Sequence, residues 1–292
     1  MKPILVHCHI YYADLWPELR SCLLNMQAYP FQLFVTMVQE LPEIGNDIRQ
    51  TFSQAQIEII ENRGYDVAPF IHLLNSINPD DYSYVVKLHT KRNLPTGALV
   101  NYFDVSGAKW RNYALSFVTS PDKFQQCVRA FENNAKLGMI TNYHLIMQDE
   151  QYDKTAQTRV FKLLEQLEYT SSHYKWVAGT MFMTRACILK PLQRFYWTNE
   201  DFATPDQKHS TQLAHVIERL LGCLCVNQGY EIDDIFASSK EKKQAYSRIR
   251  MQLRRLAQFL YRKKASHNGT LKINICKIPV CRKKLHQITQ KD

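Results

Sequence analysis

Glu61-Asn-Arg-Gly-Tyr-Asp-Val-Ala-Pro-Phe70 and, further along, Tyr84-Val-Val-Lys-Leu-His-Thr-Lys91 are the two stretches that decide how this chain folds. The first reads as a strand, 57–60, turning through Gly64 into a helix. Asp66 stands at the N-cap position, and Phe70, Ile71, Leu73 and Leu74 form the buried face. The second reads as a buried strand that stops abruptly in His89, Thr90, Lys91 and Arg92. Two successive strands of a βαβ unit, each ending in polar groups on the same side, outline a crevice at the carboxyl ends of a parallel sheet. Open α/β folds bind ligands there.

Outward from this unit the pattern repeats. Strands are predicted over 4–10, 31–38, 56–60 and 82–88, alternating with helices over 14–26, 42–52 and 66–77. Nearly continuous apolar strands separated by helices imply a mostly parallel sheet covered on both faces. The polar excursion 93–109 follows the proposed site strand and carries Pro95, Gly97 and Gly107. Helices are then expected at 110–119, 122–133, 155–167 and 210–220, and strands at 137–141 and 179–184.

The chain has 292 residues, 45% of them hydrophobic, enough for a sizeable core. No apolar run approaches the ~18 residues of a membrane span. The opening Met-Lys-Pro-Ile-Leu-Val enters a strand without the apolar core of a signal peptide, which predicts a cytoplasmic protein. The eight cysteines include no C-x-x-C pair. Several, such as Cys8 and Cys187, sit in apolar stretches, so reduced and buried thiols are expected.

Charge is divided unevenly. Residues 240–292 hold 16 Lys and Arg against 2 Asp and Glu, a net of +14, which leaves the other 239 residues at −4. Within 245–264, Tyr246, Ile249, Leu253, Leu256, Ala257 and Leu260 recur at spacings of three and four, predicting a basic amphipathic helix. The domains implied are 1–236 and a basic C-terminal extension, 240–292. Such a helix packs on its parent domain or lies on an anionic membrane, and the flanking basic runs favour the membrane. Nucleic acid is not expected as a partner, because no recognition module is visible and aromatics are not interleaved for stacking.

Asn62-Arg-Gly-Tyr-Asp-Val-Ala-Pro-Phe70 and Lys87-Leu-His-Thr-Lys91 resemble the signature of the rhamnan synthesis F family of bacterial surface-polysaccharide proteins. The resemblance continues at Trp110-Arg111, Lys136-Leu-Gly-Met-Ile140, Ala178-Gly-Thr-Met-Phe182 and Leu213-Ala-His-Val-Ile-Glu-Arg-Leu220. It implies a GT-A-like glycosyltransferase that moves a sugar, such as rhamnose or another deoxyhexose, from a nucleotide-sugar donor to a lipid-linked or growing glycan. Such an enzyme would sit at the inner face of the cell membrane. A non-catalytic α/β binding or scaffold protein of the same pathway is the alternative.

Under that reading, Tyr11, Asn62, Arg63, Asp66, His89, Lys91 and Arg92 line the donor site. Asp66 has a second reading as a simple helix cap, and His7 and His9 of the first strand face the same crevice, His7 as core packing. Gly179 and Thr180 would let backbone approach the donor, and Arg219 joins them. The base is sought among Glu218, Asp206 and His215, in that order. A GT-A strand that meets the pyrophosphate usually ends in Asp-x-Asp, which holds a divalent cation. Here it ends in His89-Thr90-Lys91, so Lys91 and Arg92 are expected to supply the positive charge, with no metal cofactor favoured and a divalent cation as the alternative. Asp80-Asp81 precedes the strand and reads as a solvated turn.

Overall fold

A computed structural model describes residues 2–100, 103–148, 154–170, 173–204, 212–245, 256, 260–265, 270–275 and 278–284. These divide into two compact units, one of residues 1–91 with 114–235 and one of residues 92–113 with 236–292. The excursion after the site strand therefore belongs with the C-terminal region.

The first unit is built on a seven-stranded sheet: β1 (Ile4–Ile10), β2 (Phe31–Met37), β3 (Gln56–Ile59), β4 (Tyr84–His89), β5 (Leu137–Ile140), β6 (Phe182–Arg185) and β7 (Glu231–Asp233). From one edge the order is β7-β5-β6-β4-β1-β2-β3. All strands run in one direction except β6, which is antiparallel to both β4 and β5. The α/β class and mostly parallel sheet follow from strands such as β1, whose seven residues are all buried. A strand covered on both faces has no place for alternation.

Helices α1 (Trp16–Leu24), α2 (Pro42–Thr51), α3 (Val67–Ser76), α4 (Pro121–Asn133), α5 (Lys154–Gln166) and α6 (Leu213–Asn227) flank this sheet. At the start of α4 the Ser120 hydroxyl accepts from the Lys123 N–H, and Pro121 takes the first turn where its missing N–H costs nothing. The α4 carboxyl end meets Arg185 of β6, whose guanidinium donates to the carbonyls of Phe131, Asn134 and Leu137. Helix α6 buries nine of its fifteen residues.

Connectivity locates a crevice. The chain passes from β1 to β2 to β3 on one side, then crosses back through α3 to β4 on the other side of β1. The carboxyl ends of β1 and β4 are thus the switch point at which open sheets leave a cleft. Thr90 stitches those ends together. Its N–H donates to the His9 carbonyl at 3.0 Å, and its hydroxyl accepts from the N–H groups of Tyr11 and Tyr12 at 2.9 Å each.

Three sequence expectations change. Residues 179–181 precede β6, which begins at Phe182. Cys187 is exposed on the 3₁₀ segment Ala186–Phe195, whereas Cys8, Cys22, Cys127, Cys223 and Cys225 are buried, and all six are unpaired. The expected helix over 245–264 is the third. In the second unit Tyr261–Ala265 is a strand, joined by Thr270–Ile275 and Ile278–Lys284 in an antiparallel sheet. Helix therefore stops by Leu260, and of the apolar stripe Tyr246, Ile249, Leu253 and Ala257 lie outside the described residues. The sequence held the warning: Asn268-Gly269 between the two runs is a strong hairpin signal. The same unit holds a short hairpin (Leu99–Val100 with Phe103–Asp104) and the helices Lys109–Ala114 and Ser239–Ala245. Among the described residues no helix is long and apolar enough to cross a membrane.

Close packing fixes one glycine of α6. A Cβ on Gly222 would stand 2.5 Å from the Trp176 Cα and 2.8 Å from the Lys175 carbonyl oxygen. Backbone cannot give way as a flexible side chain can. Gly222→Ala should therefore destabilise the protein by ~1–3 kcal/mol, although alanine gains ~1 kcal/mol of helix propensity over glycine. Urea unfolding of the variant, read as a shift in midpoint, checks this.

Candidate functional site

The face of the sheet beneath α3 is polar where it should be driest. The register sets His7 beside Lys87 and His9 beside His89, with Thr36 next to His9 on β2. His7, His9, Thr36, Lys87 and His89 are all buried, Lys87 completely. A lysine is almost never fully buried unless paired. Its partner is Asp66, whose Oδ2 lies 2.5 Å from the Lys87 ammonium. Lys87 also donates to the Thr180 hydroxyl at 2.8 Å, and that hydroxyl donates to the same Asp66 oxygen. The Phe70 ring lies 5.5 Å from the ammonium.

Asp66 precedes α3 but its side chain makes no capping bond. The capping reading is set aside: the carboxylate turns inward as a counter-ion. Burial alone would raise its pKa, yet His89 and Lys87 beside it, with hydrogen bonds from Lys87 and Thr180, hold it well below the usual carboxylate range. Burial lowers the Lys87 pKa, and Asp66 opposes that.

Two left-handed turns meet across this pair. Gly64 and Tyr65 both have φ 58°, while Gly179 and Thr180 have φ 85° and 54°. A Cβ on Gly64 would lie 2.5 Å from Phe202 Cδ1. For β-branched Thr180 the conformation is a genuine outlier, the kind of strain that persists only where surroundings impose it. Those surroundings are the Asp66 and Lys87 bonds, and the Glu218 carboxylate, which accepts the Gly179 N–H at 2.7 Å. His89 reaches the Gly179 carbonyl with Nε2 at 2.8 Å and the Thr90 carbonyl with Nδ1 at 3.1 Å. Burial lowers its pKa, and a neutral ring carries one N–H, which the shorter contact assigns to Nε2.

The network extends along α6. His215 Nδ1 is 3.7 Å from Glu218 Oε2. The Arg219 guanidinium donates to the His215 carbonyl and lies 4.7 Å above the Trp176 ring. Structure thus gathers Asp66, His89, Gly179, Thr180, Glu218, His215 and Arg219. It turns Arg63 elsewhere, to Glu61 and the Phe202 carbonyl. Tyr11 is exposed and packs edge-on to Tyr12. Asn62 is half-buried on the loop before α3, and Lys91 is half-buried at the end of the first unit. Arg92 is the first residue of the second unit, and Asp206 lies outside the described residues. His9 is buried under α3 and does not line an open cleft. Asp80 is exposed, bonds Lys190 and lies before β4.

Lys87 and Thr90 are the residues that sequence reading missed. A lysine inside the apolar run Tyr84-Val-Val-Lys-Leu-His89 was itself the signal, because such a residue demands a counter-charge.

Asp66 is committed to Lys87 and Thr180, and one Glu218 oxygen to Gly179. Among the described residues no three His, Cys, Asp or Glu side chains gather as metal ligands.

Comparison with known proteins agrees with this architecture's signature residues: residues 1–230 match the family described as Rhamnan synthesis protein F. The chain belongs to that family. It is also 24% identical over 230 residues to the uncharacterized protein WxcX of Xanthomonas campestris pv. campestris strain B100, and equally to WxcX of a second strain of that pathovar. Those 230 residues are 78% of this chain but 32% of each relative, so the chain spans about a third of their length.

Two predictions follow from the polar layer. Lys87→Met, which strands the Asp66 carboxylate, should cost ~3–5 kcal/mol. Adding Asp66→Asn to it should cost less than the two single changes summed, a coupling that a double-mutant cycle in urea measures. Additive costs would mean the pair is not an interacting unit.

The second concerns pH. The Thr36 hydroxyl sits 3.0 Å from His7 Nε2 and 2.9 Å from His9 Nδ1. It can accept from His7 and donate to His9 only while His9 is neutral. His7 Nδ1 is buried without a partner, so a second proton there would have no acceptor. Burial lowers His7 well below the ordinary value and His9 to about 4. These folded-state values are depressed below the unfolded one, so the unfolded chain binds more protons as pH falls through about 6.5, and stability drops. For His9 alone the loss between pH 6.5 and 5 is about 2 kcal/mol. Asp66 adds its own loss only below the ordinary carboxylate range. Unfolding free energies at a series of pH values should show this slope, and His9→Gln should flatten it.

Proposed function

We propose that this protein transfers a sugar from a nucleotide-activated donor to a growing surface glycan, as a GT-A-like glycosyltransferase. The observation that carries the reading is the switch point between β1 and β4, beside which the loop before α3 and the turn before β6 are joined through Asp66 and Thr180. The second support is membership of the Rhamnan synthesis protein F family. In this reading the diphosphate lies against the end of β4, where Lys91 carries the positive charge that Asp-x-Asp and a metal supply elsewhere. Preorganised charge at a leaving group acts without reorganisation during the reaction. Asn62 and Tyr11 hold the nucleoside, and the Gly179-Thr180 backbone approaches the sugar.

The reaction breaks the bond from the anomeric carbon to the diphosphate, which leaves with the electron pair. The acceptor hydroxyl oxygen forms the new bond and yields its proton to a base. Glu218 is the first candidate, with Asp206 and His215 behind it. Rhamnose or another deoxyhexose is the sugar that the family's description favours. The basic region 240–292 docks the protein at an anionic membrane surface on the cytoplasmic side, gaining on the order of 1 kcal/mol per engaged Lys or Arg. A non-catalytic binding protein of the same pathway is the second reading. It is favoured by the commitment of one Glu218 oxygen to Gly179.

Calorimetric titration with nucleoside diphosphates and nucleotide sugars tests the lead reading. Binding should persist in EDTA, and Lys91→Ala should weaken it by about 10–100-fold, as loss of a charge-assisted bond does. Sugar transfer to a glycan acceptor then separates enzyme from scaffold. Absence of binding by every donor would remove the transferase reading.

A further inference from the structure

Tyr65 places a large aromatic at a left-handed backbone position. Its φ of 58° is a left-handed conformation that glycine or asparagine adopts at lower cost. The side chain is 40% exposed, so core burial is not what keeps it there. The ring stacks on His215, with centroids 5.5 Å apart and planes within 28° of parallel. His215 is half-exposed on the first turn of α6, and its Nδ1 faces Glu218 Oε2 at 3.7 Å. The other Glu218 oxygen is fixed by the Gly179 N–H. One loop and one helix thus hold the Tyr65 ring face to face with the His215 imidazole, with the Glu218 carboxylate beside the imidazole.

A flat apolar surface edged by hydrogen-bonding groups is complementary to a pyranose, which offers C–H groups on its face and hydroxyls around its edge. Glu218 beside the stack disfavours a phosphate and suits a neutral ring whose hydroxyls can donate to it. We propose that the outer face of the Tyr65 ring, backed by His215, is a platform on which a neutral pyranose of the acceptor glycan stacks, its hydroxyls reaching Glu218. The platform rests on the glycosyl-transfer reading and adds an acceptor subsite to it. It also places an acceptor hydroxyl beside the first candidate base.

Saturation-transfer NMR and titration of the full chain with methyl rhamnoside and a rhamnose disaccharide test the proposal. Uridine, guanosine and thymidine diphosphates are titrated in parallel. Tyr65→Asn should weaken the sugars by roughly tenfold, leave nucleoside diphosphate binding unchanged, and not lower the thermal midpoint, since asparagine accepts the left-handed turn. Tyr65→Phe should retain sugar binding. Equal sugar affinity in Tyr65→Asn, or no sugar binding by the natural chain, overturns the platform. So does a loss confined to the nucleoside diphosphates, which would make the stack a base site. A lowered midpoint assigns Tyr65 to the fold and also overturns it. Sugar binding through Tyr65 with no nucleoside diphosphate bound supports the platform while refuting the transferase reading.

Discussion

One buried ion pair holds the crevice together. Lys87 enters the centre of the sheet on β4, with β1 on one side and antiparallel β6 on the other, where no water can solvate its charge. Asp66 supplies the counter-charge from 21 residues earlier and Thr180 the remaining hydrogen bond from 93 residues later. Leaving either charge alone in that setting costs several kcal/mol. The loop before α3 and the turn before β6 are consequently locked to the same point. The strained backbone at Tyr65 and Thr180 is tolerated because this anchor over-determines it.

Around the anchor lies a layer of histidines that must stay neutral. Thr36 has a single hydroxyl proton to share between His7 and His9, and His7 Nδ1 has no acceptor for another. The layer is apolar enough to exclude water and polar enough to fix ring orientations. His89, at its upper edge, extends the same logic to the Gly179 carbonyl. Charge in this half of the sheet is thus confined to the Lys87–Asp66 pair.

Glu218 illustrates how position and chemistry divide. One oxygen fixes the Gly179-Thr180 turn through its N–H, and the other looks toward His215. A carboxylate held this firmly is well placed geometrically but has one oxygen for further work. That division is why a transferase and a binding protein of the same pathway both remain consistent with a common frame, and why the stacked Tyr65 and His215 matter.

Sequence alone determined the α/β alternation, the mostly parallel sheet and the polar end of β4. Each follows from local rules: apolar runs such as Ile4–Ile10, Gly64 at a turn, and polar residues where a strand ends. The pairing of His215 with Glu218 was legible too, because residues three apart share a helix face. The role of Asp66 was not, since capping and ion pairing need the same residue at the same position and differ only in what lies opposite. Lys87 was visible as an anomaly, but its partners come from the loop before α3 and the turn before β6, which only the fold brings to β4. The antiparallel sense of β6 and the strands after Leu260 were likewise decided by tertiary pairing. Hydrogen bonds to a neighbouring strand outweigh a helical spacing of apolar residues, because they satisfy the backbone and the side chains at once.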